Sequence, residues 1–270
     1  MKFEKLIRGL APIAAIAFAA SLSGCKDMNI RINDEEGVPL AELDMSGDPP
    51  RELVLAGPDT VVVTDGARLD IDVEGDTAAV EALRFTLSEG TLGIMREGKG
   101  WSRDDGIATV RVTMPSPAKV VIAGSGGVAA QSMAREAEVT IAGSGRLDVA
   151  SLRAERLDVN VMGSGTFGAA GTATELDLNV AGSGRMEGKG LKVDRAELNI
   201  MGSGDAEFAS DGTVEAKIMG SGNVVITGNA TCTVKAMGSG TVTCRNTAAR
   251  SSTAPTPPTP PTPPEAPEPR

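Results

Sequence analysis

The chain has 270 residues with 26 Lys and Arg against 36 Asp and Glu, a net charge of −10, and this acidic balance repels phosphate backbones and excludes nucleic acid as a natural partner. It contains no His, no Tyr, one Trp and five Phe, which rules out histidine-based catalysis, histidine metal ligation and an interior built from large rings. With 33 Gly in the same chain, the core has to come from small and β-branched side chains.

Lys2, Lys5 and Arg8 precede an apolar, alanine-rich stretch from Leu10 to Leu22. That stretch is short for a membrane span and reads as a signal peptide over residues 1–24. It ends in Leu22-Ser23-Gly24-Cys25, which resembles the lipobox of bacterial lipoproteins. On that reading Cys25 is diacylated, becomes the new N-terminus and holds the protein to a membrane without spanning it. The alternative is an ordinary cleaved signal with Cys25 a bystander thiol. Lys26, rather than Asp, follows the anchor, which by analogy with enteric bacteria directs the protein to the outer membrane. Lys2, Lys5, Arg8 and Glu4 leave with the signal, so the remainder carries 23 basic and 35 acidic groups, a net charge of −12. Anionic headgroups repel such a body, so membrane residence rests on the lipid chains.

Residues 25–50 are polar and acidic and read as a lipidated N-terminus and linker. A β-rich body follows over residues 51–246, and its first part, residues 51–118, is irregular. Leu53-Val54-Leu55, Val61-Val62-Val63, Leu69-Ile71-Val73, Phe85-Leu87, Leu92-Ile94 and Val110-Val112-Met114 are short apolar or alternating runs between Gly, Asp and Pro, hence strands forming the first, atypical coils of a stack. Ala78 to Leu83 reads alternatively as one helical turn.

Residues 119–246 are periodic. Gly-Ser-Gly begins at Gly124, Gly143, Gly163, Gly182, Gly202, Gly220 and Gly238, at intervals of 18 to 20 residues. Apolar residues stand two and four places before each copy, as Ile122 and Val120 or Val161 and Val159, with polar residues such as Asn160, Asn179, Asn199 and Lys217 between them. The second and fourth places after the motif are again apolar or small, as in Leu147 and Val149. This period of two marks a strand on each side of a glycine corner. Hairpins do not need identical corners, whereas a coil that advances one strand spacing per turn stacks equivalent residues on one another. The expected fold is all-β, a single-stranded parallel β-helix or β-solenoid, with seven coils spanning about 30 to 35 Å. Residues 247–270 are a Pro-rich tail whose Thr-Pro-Pro repeats favour an extended chain.

The repeated apolar-x-apolar-x-Gly-Ser-Gly, with the upstream runs Leu53-Val54-Leu55-Ala56-Gly57, Leu69-Asp70-Ile71-Asp72-Val73-Glu74-Gly75 and Val110-Arg111-Val112-Thr113-Met114-Pro115, resembles the bacterial family described as putative autotransporter adhesin, head GIN domain. The resemblance covers residues 52–245. It implies a single-stranded β-helix on a Gram-negative envelope, of unassigned biochemical function.

Candidate sites follow from the repeat. Cys232 and Cys244 occupy inward registers of the last coil and read as a disulfide closing the open end of the core, or else as two small buried hydrophobes. Ser125, Ser144, Ser164, Ser183, Ser203, Ser221 and Ser239 form a ladder along one corner. It either offers hydroxyls to an anion or sugar edge or satisfies local backbone groups. Just before the motif, Met162, Met201, Met219 and Met237 either project outward as an apolar stripe or rotate into the core. No serine has a base beside it. A carbohydrate-cleaving β-helix would use clustered carboxylates with aromatic platforms, and the chain has one Trp, Trp101. The expected protein is non-catalytic, binds no cofactor or metal, contacts the membrane through its lipid and binds a protein or envelope glycan through a solenoid face. The alternative role is a periplasmic scaffold or spacer.

Overall fold

Inward and outward side chains alternate along each regular coil, and the alternation breaks where the chain turns. In Arg146–Gly163 the buried residues are Leu147 and Val149, then Leu152 and Ala154, then Leu157, Val159 and Val161. The outward pairs Ala150-Ser151 and Glu155-Arg156 separate these runs. A coil therefore has three straight runs and three bends, one of which is Gly-Ser-Gly. The run before that corner is the pre-corner face, and the run after it is the post-corner face.

The structure is a computed structural model in which residues 16–19, 29–33, 35–97 and 106–245 are described. Successive coils pair in parallel and in register, so that Gly124, Gly143, Gly163, Gly182, Gly202, Gly220 and Gly238 align. The result is a parallel β-solenoid of about 7 turns with coils about 19 residues apart. Its core is a set of vertical stacks, such as Leu53, Val120, Val139, Val159, Leu178, Leu198 and Ala216, all buried. Each fully buried aliphatic side chain contributes about 1.5–3 kcal/mol of transfer free energy. One ring is accommodated by a glycine: Gly188 pairs with Phe208 in the next coil, and a Cβ at Gly188 would lie 3.2 Å from that of Phe208.

The N-terminal end departs from chain order. Glu52–Ala56 and Thr60–Asp65 form a coil directly beneath Lys119–Gly124 and Gly127–Ala130. The layer beneath it is made by the later strands Thr91–Arg96 and Ala108–Met114. Below these the direction reverses: Leu83–Ser88 runs antiparallel to Thr91–Arg96, and Asp70–Gly75 antiparallel to Ala108–Met114. A short helix, Thr77–Ala82, joins the two reversed strands, one residue away from the helical turn read at 78–83. Val38 bridges to Phe85 on the outer side of the cap.

Upstream, Ile16–Ala19 pairs antiparallel with Asn29–Ile32. No helix among the described residues is long and apolar enough to cross a membrane. At the C-terminal end Thr231–Gly238 and Thr241–Arg245 stack on the coil below, and no described coil lies above them. Val234, in an otherwise buried stack, is there 44% exposed.

Candidate functional site

The corner is dictated by backbone contact between coils. Gly143 has φ of +121°, a conformation that favours glycine, and a Cβ there would lie 2.5 Å from the carbonyl oxygen of Gly124 below. At Gly145 a Cβ would meet Ile122 Cγ2 at 2.5 Å and the Gly126 carbonyl oxygen at 2.8 Å. Between them the Ser144 amide donates to the Gly124 carbonyl at 2.9 Å. The same bond recurs at Ser164, Ser183, Ser203 and Ser221.

The serine thus serves the corner through its backbone, and its hydroxyl is left outside. All seven ladder serines are exposed, and their hydroxyls make no hydrogen bond with the described residues. Methionines beside them also point outward: Met162 is 51%, Met201 56%, Met219 55% and Met237 71% exposed. The strand parity continues to the last residue before the corner, so of the two orientations left open by the sequence the structure adopts the outward one.

The same outward column has a covered lower end. Below Met162 it runs through Ala142, Ala123, Ala56 and Met95. Ala123, Ala56 and Met95 are buried with Val54 and Val121 in a small cluster capped by Ile32.

The pre-corner face carries further columns parallel to this edge. Asn160, Asn179 and Asn199 form an amide ladder, in which Asn179 Nδ2 donates to Asn160 Oδ1 at 3.2 Å and Asn199 Nδ2 to Asn179 Oδ1 at 3.1 Å. Lys217 and Lys235 continue it upward. Next to it stand the stacked carboxylates Asp158, Asp177, Glu197 and Glu215. Beyond those, Arg156 and Arg195 flank Glu175 and pair with it. A groove of ≈ 390 Å³ runs between the last two columns.

Stacking at one strand spacing makes the carboxylates sense one another. Burial, helped by the charges of Asp158 and Glu197, raises the carboxyl of Asp177 above its ordinary value, against a hydrogen bond from Asn179. Two coils higher the sign reverses. Glu215 is lowered by its bond to Lys235 and by the charge of Lys217. Lys217 is raised, chiefly by Glu197 at 2.7 Å. Cations and anions thus pair in the upper coils of this face, Asp177 stays among like charges, and the amide ladder is the neutral hydrogen-bonding strip.

Two features away from the face are structural. Cys232 and Cys244 are joined by a disulfide with Cα atoms 6.7 Å apart. Cys232 packs against the core, while Cys244, although in the inward register above Ile226, is exposed because nothing described covers it. At the other end Asp59 and Arg96 are buried together, with Arg96 Nε donating to Asp59 Oδ2 at 2.7 Å. Arg96 also donates to the Gly106 carbonyl at 2.9 Å, and the Ala108 amide to Asp59 Oδ1 at 2.9 Å. Sequence reading missed this clamp. Its one visible signal is that the corner of that coil reads Gly57-Pro58-Asp59, with Asp at the place of a motif glycine. Cys25, Trp101 and the tail of residues 247–270 lie outside the described residues. Among the described residues no group of three or more potential ligands could hold a metal ion.

The family model described as "Putative auto-transporter adhesin, head GIN domain" matches residues 49–230. Among solved structures, a putative adhesin from Bacteroides fragilis is similar with a TM-score of 0.66 at 20% identity, covering 73% of this chain and 93% of that one. A putative lipid binding protein from Parabacteroides distasonis gives 0.56 at 19% identity, covering 74% and 94%. A putative adhesin from Parabacteroides merdae gives 0.51 at 18% identity, covering 74% and 93%. None of the curated proteins matches the chain. At these identities the solved structures speak to the fold, and the fold they share is the solenoid.

Proposed function

The chain belongs to the putative auto-transporter adhesin, head GIN domain family, and from that premise we propose that it is an exported, non-catalytic recognition protein of the cell envelope that binds a protein or glycan surface through its pre-corner face. In this reading residues 1–24 are removed on export and acyl chains on Cys25 hold the protein to the outer membrane. The tether of this reading is shorter than residues 25–50, because Ile32 is buried on the body and Val38 bridges to Phe85, and residues 247–270 form the tail.

The observation that carries the reading is the amide ladder Asn160, Asn179 and Asn199, a neutral strip of paired hydrogen-bonding groups along the face. Asparagine side chains donate and accept at once, which suits peptide and sugar hydroxyl groups alike. Absence of catalysis is supported by the ladder serines, none of which has a base to activate it, and by the lack of any His.

The test is capture from native membranes with the lipidated protein as bait. Asn160→Ala/Asn179→Ala/Asn199→Ala should lose the captured partner while the fold, read by circular dichroism, is unchanged. Equal capture by the variant would overturn the assignment of the face. Turnover of a glycan by the purified protein, lost in Asp158→Asn or Asp177→Asn, would overturn the non-catalytic reading. Resistance of the protein to protease added to whole cells, with capture of cell-wall material through residues 251–270, would favour a periplasmic spacer instead.

A further inference from the structure

On the reading that Cys25 carries the lipid, we propose that the Gly-Ser-Gly edge lies on the bilayer. The methionine column is seated at the boundary between headgroups and acyl chains, and the rod runs along the membrane with its pre-corner face open to water.

Three observations converge on this edge. The first is the column itself, in which Met162, Met201, Met219 and Met237 project from one straight line on a rigid scaffold. It is one residue wide. A stable protein interface needs about 800 Å² per partner with a packed centre, which a single line of side chains does not provide. A lipid surface asks for no matching shape, and the flexible, polarisable methionine side chain suits it.

The second is continuity. The same column is already an apolar contact at its lower end, where Ile32 covers Met95, Ala56 and Ala123. The strand that brings Ile32 there, Asn29–Ile32, begins four residues after Cys25. Seven residues separate Cys25 from Ile32, a reach of at most about 25 Å. Met162 stands two coils above Ala123, or about 10 Å. An anchor at Cys25 therefore reaches the exposed part of the column.

The third is what flanks the methionines. On one side stand the exposed hydroxyls of the serine ladder, with no partner among the described residues, which can donate to phosphate or ester oxygens. On the other side Lys217 and Lys235 stand two residues before Met219 and Met237 and are held by Glu197 and Glu215, so no unpaired charge borders the apolar line there. The carboxylate column lies two residues further along the strand and stays in water.

The experiment separates this contact from lipidation. The chain from Lys26 onward, carrying an N-terminal hexahistidine in place of Cys25, is held on phosphatidylcholine vesicles that contain a nickel-chelating lipid. It is then treated with hydrogen peroxide, which converts exposed thioethers to sulfoxides. Compared with the same protein free in solution, Met162, Met201, Met219 and Met237 should oxidise about tenfold more slowly, the ratio expected when roughly nine chains in ten are docked. Met45, exposed but off the column, should oxidise at one rate in both. In Met201→Gln/Met219→Gln/Met237→Gln, protection of the remaining Met162 should disappear. Equal rates for the four methionines on vesicles and in solution would overturn the proposal. The mass of the native N-terminal peptide reports the acyl groups on Cys25 independently, so loss of one reading leaves the other standing.

Discussion

At the N-terminal end the stack is closed by strands that run against it, Leu83–Ser88 and Asp70–Gly75, whereas at the C-terminal end Thr231–Gly238 and Thr241–Arg245 run with it and are tied together by Cys232 and Cys244. A parallel coil repeats its unpaired N–H and C=O groups and its apolar interior on the next level, so nothing in the repeat stops the stack. One end stops by reversing direction and burying an ion pair beneath the last corner. The other keeps the repeat and adds a covalent link, leaving Val234 half open to solvent. The two ends should therefore fail by different chemistry.

The largest effect belongs to the buried clamp. Arg96→Ala leaves Asp59 buried and unpaired, and the expected loss is about 3–5 kcal/mol in urea denaturation, with hydrogen exchange rising first in Glu52–Ala56, Thr60–Asp65, Thr91–Arg96 and Ala108–Met114. Asp59→Gly/Arg96→Met removes both charges and restores the glycine corner found at Gly126, and it should regain most of that loss. A single replacement costing under about 1 kcal/mol would mean that the antiparallel strands alone close the end.

At the opposite end the disulfide spans 12 residues, for which loop-closure entropy gives about 3 kcal/mol. Cys232→Ser/Cys244→Ser should lower stability by that order. Faster exchange should be confined to residues 223–245, while the clamp region keeps its protection. A uniform change along the rod would show that the ends are coupled through the whole stack.

Between the ends the repeat itself is the control. Gly143→Ala forces a side chain into a left-handed backbone conformation against the Gly124 carbonyl and should cost about 1–3 kcal/mol. Its neighbour Ser144 has an exposed hydroxyl without a partner among the described residues, so Ser144→Ala should stay within about 0.5 kcal/mol. Thermal denaturation of the two variants checks this contrast within one corner.

The regular half of this architecture was legible because a period of two on both sides of an invariant corner admits few geometries, and residues such as Val159, Val161, Leu147 and Val149 turned inward as their parity requires. The irregular half was legible as strands but not as order. Glu52–Ala56 lies between Thr91–Arg96 and Lys119–Gly124, and no local pattern tells a strand that its neighbour in space is a later segment. Val54 and Val121 break the polar alternation of the outer face because Ile32 covers them, a contact made across more than 20 residues. Met162 and its equivalents were ambiguous for a local reason: a side chain one bond from a sharp bend can follow either the strand or the turn. The ion pair of Asp59 and Arg96 left only an acid in a glycine's place.

The smallest expected effect distinguishes two levels of the same carboxylate column by its sign with pH. Asp177 has its carboxyl raised above 3.8 by burial and by its acidic neighbours, so the folded state holds that proton more tightly than the unfolded chain. Its charge therefore opposes folding at neutral pH, and the penalty fades as pH falls through the raised value toward 3.8. Glu215 is lowered below 4.5 by Lys235 and Lys217, so its contribution is present above 4.5 and is lost as pH drops through the lowered value. Asp177→Asn should raise the melting temperature slightly at pH 7 and leave it unchanged near pH 3. Glu215→Gln should lower it slightly at pH 7 and likewise converge on the parent in acid. Opposite signs at pH 7 from two carboxylates in one column, read by calorimetry across that range, would tie the difference to the lysines that enter the neighbouring column at Lys217. Equal signs would mean that the column titrates as a single acidic strip.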